Sequence, residues 1–417
     1  MAGRVSRRVV AAVTALGLAI GLGACAPQPE RIDIGVDQVD GALPADLTEQ
    51  MQSLTETAMT SIGASGAIVS VSVPWSGEWV AGLGTSGPGG PEVDPSMTFK
   101  SANVTRAMTC DVLYALVKKG TVGLDDTVGD WLDSYPGQAG ITLGDLCDST
   151  SGLAGYLGRV FPRVIAAPER VWNPRELVAY GIAQRATAAP GAEFRDSDTG
   201  YVLLGLVLER AGGESLSDLY NEYVFEPLGM SSSAYPTGAG GGDRLKGAYI
   251  ANGKDRKPDC SAPIDVTEVT SSVGAASGGV VSTVGDLSTY VRALAVGARS
   301  YDADTRYADP RPANSEQPAW FTADGGTYQA GSLVGQFGSL PGYMVAAFAD
   351  RTTGMSVVVV LNESRASSNA VRVLAWQLAA LASKAPAADG RTAPEMGLPW
   401  TAESLAPELA RYATCGG

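Results

Sequence analysis

The chain has 417 residues, 45% of them apolar, which is enough to bury a large core. Its formal net charge of −14 argues against nucleic acid or an anionic bilayer surface as a direct partner. It contains no histidine, which excludes Ser-His-Asp and Cys-His catalytic arrangements and histidine-ligated zinc, and we predict neither a metal nor a cofactor.

The first predicted element is an export signal. Basic residues precede an apolar run over 9–22, and the sequence Leu-Gly-Ala-Cys at 22–25 closes this segment. This run is shorter than the roughly twenty residues that a transmembrane helix, the alternative, would need. We predict a lipoprotein signal peptide over 1–24 and a lipid anchor on Cys25, which would hold the protein at the extracytoplasmic face of the cell membrane. The Arg7-Arg8 pair leaves export by the Sec or the twin-arginine route open.

The body of the chain has strands near both ends and helices between them. After a flexible tether over 25–43, the spacing of apolar residues predicts, in chain order, a helix at 47–62, a hairpin of strands at 67–73 and 77–83, and a helix at 101–119. A succession of helices and long turns follows at 120–270. The last predicted elements are strands at 329–334, 343–349 and 355–361 and a closing helix at 366–383.

This order of elements predicts the α/β (α+β) fold class. One antiparallel sheet is built from both ends of the domain and flanked by helices, and an all-helical lobe is inserted, with a cleft between the two parts. The domain spans 44–384, with the sheet part at about 44–105 and 270–384 and the lobe at about 106–269. A tail rich in proline and alanine, 385–417, has no predicted structure.

Six segments, in order, resemble landmarks of the penicillin-recognising serine enzymes, which include class C β-lactamases and serine DD-carboxypeptidases. They are FKSANVTR at 99–106, TSGL at 150–153, PGAEF with DSDTGY at 190–201, FEPLGM at 225–230, SGGVVST with DL at 277–287, and GQFGSLPGY at 335–343. This family has the architecture described above. The resemblance therefore implies a β-lactamase/transpeptidase-like fold.

The family's catalytic side chains are altered within these landmarks. Its Ser-x-x-Lys pair reads Asn103 and Arg106 here, and none of the seven lysines lies three residues after a serine. An amide cannot be acylated, and a guanidinium stays protonated and cannot act as a base. The family's tyrosine and asparagine read Asp196 and Asp198, and its histidine reads Gln336, two residues before the retained glycine. The resemblance implies a vestigial cleft at Asn103, Arg106, Asp196, Asp198, Gln336 and Gly338.

Several of these residues have two interpretations. Asn103 either contacts a ligand or caps the start of its helix. Arg106 forms a salt bridge with Asp196, Asp198 or both, or the aspartates act on a hydroxyl such as Ser197. Phe337 fills the pocket or faces the core. The predicted ligand-binding residues are Asn103, Arg106, Ser197, Gln336, Phe337 and Ser339.

Four cysteines follow Cys25, which in an oxidising compartment allow three disulfide pairings, the alternative being free thiols. Cys110 lies two turns beyond Asn103, and Cys147 occupies an apolar position of the neighbouring landmark helix. The resemblance thus favours Cys110 with Cys147 and Cys260 with Cys415. The chain-entropy relation gives about 4 kcal/mol for the first loop.

The functional prediction is a lipid-anchored, extracytoplasmic β-lactamase/DD-peptidase-like protein that has lost its catalytic serine and lysine. It would bind peptidoglycan fragments in the cleft, or another envelope protein, and act as a binding or regulatory protein. The alternative is an active serine hydrolase, of peptidase, esterase or β-lactamase type, with a rearranged site that uses Ser101, Thr105 or Ser197. A purely structural envelope protein is the third possibility.

Overall fold

The computed structural model describes Gly3, residues 31–314 and residues 317–415. The predicted signal peptide and the lipidation site at Cys25 lie outside these residues. None of the helices within the described ranges is long and apolar enough to cross a bilayer.

The centre of the fold is an eight-stranded antiparallel sheet with the strand order β2-β1-β12-β11-β10-β9-β8-β7. Strands from the two ends of the domain pair as neighbours within it, where Ile68 lies opposite Val360. The mixed α/β fold class, with a large antiparallel sheet built from both ends and flanked by helices, is confirmed. The lobe predicted as all-helical also contains a short pair of strands, Ala248–Tyr249 with Ile264–Asp265. The strands of this sheet are β1 Gly66–Val73, β2 Gly77–Gly84, β7 Arg311–Pro312, β8 Phe321–Asp324, β9 Thr327–Ala330, β10 Leu333–Leu340, β11 Tyr343–Asp350 and β12 Ser356–Leu361. Two short pairs lie outside it: β3 Phe99–Lys100 with β6 Val281–Ser282, and β4 Ala248–Tyr249 with β5 Ile264–Asp265.

Helices cover both faces of the sheet, so its central strands are buried on both sides and are rich in valine. Alternate residues of β12 enter two separate apolar clusters. Val358 and Val360 pack towards the lobe and the helix Val104–Lys118 (α2). Val357 and Val359 pack towards the helices Ala45–Ile62 (α1) and Asn369–Ala382 (α12). The helices are α1 Ala45–Ile62, α2 Val104–Lys118, α3 Val128–Trp131, α4 Leu143–Cys147, α5 Leu157–Ala166, α6 Pro174–Ile182, α7 Asp198–Gly212, α8 Leu216–Tyr220, α9 Glu226–Leu228, α10 Ala275–Gly278, α11 Val284–Val296, α12 Asn369–Ala382 and α13 Ala402–Ala410.

Two predicted elements are wrong in detail. The helix predicted over 101–119 begins only at Val104, because 99–100 pair as a strand with β6 and Ala102 adopts a positive φ of 47°. The strand predicted over 329–334 spans a reversal between β9 and β10. Gly331 occupies that turn with φ of 57°, a conformation that suits glycine.

The predicted tether and tail are more ordered than expected in their described parts. The Ile32 amide donates to the Pro227 carbonyl at 2.8 Å, and the Val39 amide donates to Pro74 at 3.0 Å. Residues 31–43 therefore run along the body rather than away from it. In the tail, α13 packs on α12, and Arg372 pairs with Glu408 at 2.7 Å.

Both disulfide pairs favoured above are bonded in the structure. Cys110 and Cys147 join α2 to the end of α4 with a Cα–Cα distance of 5.6 Å. Cys260 and Cys415, at 6.0 Å, attach the tail to a loop of the lobe. The first bridge lies two turns beyond the start of α2 and fixes this helix against the lobe beside the cleft.

Candidate functional site

A cavity of about 210 Å³ lies where the sheet meets the helical lobe. It is formed by the start of α2, the end of β10 and the starts of α5 and α7, so residues far apart in sequence converge on it. The lining residues are Asn103, Arg106, Gly155, Tyr156, Leu157, Asp196, Asp198, Gly274, Ser277, Gly278, Ser339, Leu340 and Ser368. This is the cleft that the order of elements predicts.

Arg106 is the buried cation of the cleft, and its guanidinium is already paired with protein groups. Its side chain is 4% exposed, its Nη1 forms an ion pair with Asp196, and its Nε donates to Ser277 Oγ at 3.0 Å. The guanidinium also lies 4.9 Å from the centroid of the Tyr201 ring. Burial is the largest single effect and lowers the pKa of Arg106. Asp196 and the neighbouring groups together outweigh it, so the pKa of Arg106 lies above its ordinary value. It remains a fixed cation that cannot accept a proton.

The two aspartates near Arg106 have different roles. The Asp196 side chain is 52% exposed and pairs with Arg106 directly. Asp198 accepts hydrogen bonds from the amides of Tyr156 at 2.7 Å and Leu157 at 3.0 Å, at the start of α5. Burial raises the pKa of Asp198, and Arg106 and the two amides oppose that shift. Of the partners proposed for Arg106, only Asp196 makes the direct ion pair.

Asn103 packs on β10 instead of capping its helix. It makes no side-chain cap hydrogen bond, so the capping interpretation is wrong. Its carboxamide lies against Gly338, where an added Cβ would sit 2.1 Å from Asn103 Cγ, so the glycine makes room for the asparagine. Among the hydrogen bonds of the described residues, none uses the Asn103 amide, which lines the cavity.

Ser339 lines the cavity, but three other predicted ligand-binding residues do not. Ser197 is 1% exposed and caps α7, accepting from the Gly200 amide at 3.2 Å. Gln336 is 3% exposed, its Nε2 donates to the Gly326 carbonyl, and its Oε1 accepts from the Phe337 amide. Phe337 faces the core, 4.8 Å from the Tyr328 ring, so it does not fill the pocket.

The hydroxyls proposed for a rearranged site are also buried. Ser101 precedes α2, donates to the Val280 carbonyl at 3.0 Å and lies 3.1 Å from Thr105 Oγ1. Neither hydroxyl lines the cavity. Sequence reasoning missed Ser277 and Ser368 as lining residues. The landmark that contains Ser277 was recognised, whereas no pattern pointed to Ser368.

A protein-family model described as Beta-lactamase matches residues 51–383. The chain belongs to the beta-lactamase family. It is similar to Penicillin-binding protein 4* of Bacillus subtilis, with 32% identity over 139 residues that cover 32% of this chain and 30% of the relative. It is also similar to the D-alanyl-D-alanine-carboxypeptidase/endopeptidase AmpH of Escherichia coli, with 29% identity over 48% of this chain and 49% of the relative. The chain thus spans about half the length, or less, of these curated relatives.

Solved structures show the same fold over most of the chain. A D-stereospecific amidohydrolase from a Streptomyces species superposes with a TM-score of 0.67 at 24% identity, over 76% of this chain and 94% of that one. The octameric penicillin-binding protein homologue from Pyrococcus abyssi gives a TM-score of 0.65 at 21% identity, over 80% and 76% of the two chains. At these identities the likeness establishes the beta-lactamase-family fold alone.

Lys100 is the one lysine near the start of α2 and needs to be considered as a substitute base for this beta-lactamase-family cleft. It is 2% exposed, and its Nζ donates to the Thr267 carbonyl at 3.1 Å and lies 4.9 Å from the Tyr343 ring centroid. Burial, helped by Arg244, lowers the pKa of Lys100 to about 7. It does not line the cleft cavity, so it cannot serve a nucleophile there.

The Lys100 amine predicts a pH dependence of stability. The unfolded lysine keeps its proton up to about pH 10.5 and the folded one loses it near pH 7, so the folded state binds fewer protons in this window. The free energy of unfolding should therefore rise with pH above 7, by at most about 1.4 kcal/mol per pH unit. Urea titrations of Lys100→Met should lack this rise, whereas the exposed control Lys118→Met should keep it. An unchanged slope in Lys100→Met would contradict the assignment.

The buried Arg106–Asp196 pair predicts that removing the aspartate alone lowers the free energy of unfolding more than removing both partners. Asp196→Ala leaves a buried guanidinium without its carboxylate and should lower the free energy of unfolding by about 2 kcal/mol. Arg106→Met with Asp196→Ala should cost less than Asp196→Ala alone, because no unpaired charge stays buried. Glu193→Ala, which breaks an exposed pair with Arg195, is the control and should cost less than about 1 kcal/mol. Equal losses for Asp196→Ala and Glu193→Ala in urea unfolding would contradict the cost predicted for leaving the Arg106 guanidinium unpaired.

Proposed function

We propose that this beta-lactamase-family chain has lost acyl-transfer chemistry and acts by binding at the cell envelope. The observation that carries the proposal is the state of Arg106, whose guanidinium is held by Asp196 and Ser277 beside an asparagine at the position of the family's nucleophile. Acylation needs a nucleophile in contact with a base that can take its proton. Asn103 supplies no nucleophile and Arg106 supplies no base.

The other hydroxyls of the cleft support the same proposal. Ser277, Ser339 and Ser368 line the cavity. Among the hydrogen bonds of the described residues, none of these hydroxyls donates to a carboxylate, and Ser277 accepts from Arg106. A rearranged serine hydrolase would require such a contact, so no observation favours that alternative.

The cavity retains the features of a small binding site. Its volume of about 210 Å³ suits a small ligand, or one residue of a larger one, and the unpaired Asn103 amide offers both a donor and an acceptor. We infer that a peptidoglycan fragment or a segment of another envelope protein occupies it. The lipid on Cys25 would keep the protein beside such partners at the extracytoplasmic face of the membrane.

Labelling with a fluorescent penicillin tests the loss of chemistry. The purified protein should show no covalent signal after denaturing electrophoresis, while Penicillin-binding protein 4* of Bacillus subtilis serves as the positive control. A stoichiometric signal would overturn the proposal and establish a working acyl acceptor. The anchor is tested separately, because wild type should enter the detergent phase of a Triton X-114 extract and Cys25→Ser should not.

A further inference from the structure

A groove of about 700 Å³ lies between α1 and α13, over α12. None of its lining residues lines the cleft cavity, so the two sites are separate. The wall formed by α13 lies beyond residues 51–383, which match the beta-lactamase family. The Cys260–Cys415 bridge, five residues past α13, helps to hold that wall in place.

The groove has an acidic rim and an apolar floor. Asp46 and Glu49 of α1 and Glu403 of α13 are exposed at its edges, and no lysine or arginine is among its lining residues. Lys384 is close enough to act on Glu403 but does not line the groove. The half-buried side chains of Leu54 on α1 and Leu381 on α12 supply apolar surface. In full, α1 contributes Asp46, Glu49, Gln50, Ser53, Leu54 and Thr57, α12 contributes Gln377 and Leu381, and α13 contributes Ala402, Glu403 and Ala406.

A second observation at the floor is independent of the charges. Gln377 is 1% exposed and lines the groove. Its Nε2 donates to the Ala402 carbonyl at 2.9 Å, but its Oε1 has no hydrogen-bond partner among the described residues. A buried amide oxygen without a donor is costly, and native proteins leave few of them. Because this oxygen has almost no exposed surface, a cationic side chain in the groove could donate to it only after the Gln377 side chain shifts towards the groove.

The dimensions indicate what fits. The lining residues of α1 run from Asp46 to Thr57 at helical spacing, and a rise of about 1.5 Å per residue makes the groove about 16 Å long, or about three helical turns. Because α1 and α13 both pack on α12, a helix laid between them would bury an apolar face on Leu54 and Leu381 and present its flanks to the acidic rim. We propose that this groove docks an amphipathic helix of a partner protein, with lysine or arginine on its polar flanks.

The probe is a fluorescein-labelled amphipathic helix of leucine and lysine, about 14 residues long. Fluorescence anisotropy at physiological salt should show saturable binding, and Glu49→Lys with Glu403→Lys should weaken it at least about tenfold. Asp133→Lys with Glu214→Lys makes the same change of net charge at exposed positions of the lobe and should have little effect. Gln377→Met keeps the side-chain length but removes both the acceptor and the Nε2 donor to the Ala402 carbonyl of α13, so it should also weaken binding while thermal unfolding stays cooperative.

Each outcome decides the proposal. Slowed hydrogen exchange in α1 and α13 on peptide binding, together with the selective loss in the groove variant, would support it. Equal losses in the groove and lobe variants would show attraction to net charge alone and would overturn it. So would equal binding of a counterpart peptide with glutamate in place of lysine, or no binding up to about 100 μM. Because the cleft is not involved, this test is independent of whether the cleft can be acylated.

Discussion

An Asn103→Ser, Arg106→Lys double variant is expected to recover at most about a thousandth of the acylation rate of a penicillin-recognising family enzyme. Members of a nucleophile–base unit fail together, and losses of several orders of magnitude are typical when one is missing. The structure adds a specific reason. Asp196, which pairs with Arg106, would pair with the introduced lysine as well and hold its amine protonated, so that it could not take the serine proton.

The measurement is burst kinetics with a chromogenic β-lactam, with Asn103→Ser alone as the control. Adding Asp196→Tyr to the double variant should raise the rate further, because it removes the carboxylate that would hold the introduced lysine protonated. Rapid stoichiometric acylation of the double variant would contradict this account. It would show that two substitutions alone separate the chain from an active enzyme.

Asp111→Ala is expected to lower the free energy of unfolding by about 5 kcal/mol, the largest effect on stability that we predict. The Asp111 carboxylate is fully buried and bonds Arg299 and Arg306, each at 2.6 Å, and the Tyr290 hydroxyl at 2.7 Å. Removing it leaves two buried guanidiniums with too little negative charge. Since this network joins α2 and α11 to the turn at Gly325, its loss should also loosen the base of the cleft.

Asp302→Ala is the matched control for the Asp111 network. Asp302 pairs with Arg299 at 2.7 Å but is 10% exposed, so water can reach the space that it leaves, and both arginines keep their bonds to Asp111 when it is removed. The loss should be about 1–2 kcal/mol. Urea unfolding with unchanged m-values measures both variants. Losses of equal size would contradict the central role given to Asp111.

The sheet could be predicted because its strands have a strong local signal. The β-branched runs of β1 and β12 suffice to place them, and the short turn between β1 and β2 identifies a hairpin. The reversal at Gly331 was missed because β9 and β10 are buried on both faces, so neither strand shows the polar–apolar alternation that would mark where one ends and the next begins. The same double burial hid the direction of Phe337.

The sequence predicts which charged residues meet at the site but not how their side chains are oriented. The family resemblance, with Arg106 at its lysine position and aspartates at 196 and 198, indicated an ion pair in the cleft, and the structure contains one between Arg106 and Asp196. That Asp198 would bond the start of α5 depends on how the lobe packs, which no local pattern encodes. The acidic groove was missed because α13 lies in a tail whose composition is typical of loops.

Intact-protein mass spectrometry after incubation with benzylpenicillin tests the central claim, the loss of acyl-transfer chemistry, most directly. We predict that the mass stays that of the unmodified protein at every time point, including under acid quench that preserves acyl-enzymes. A shift by one penicilloyl group, mapped by proteolysis to Ser101, Thr105, Ser197 or Ser277, would contradict the account and identify the hydroxyl that carries the chemistry.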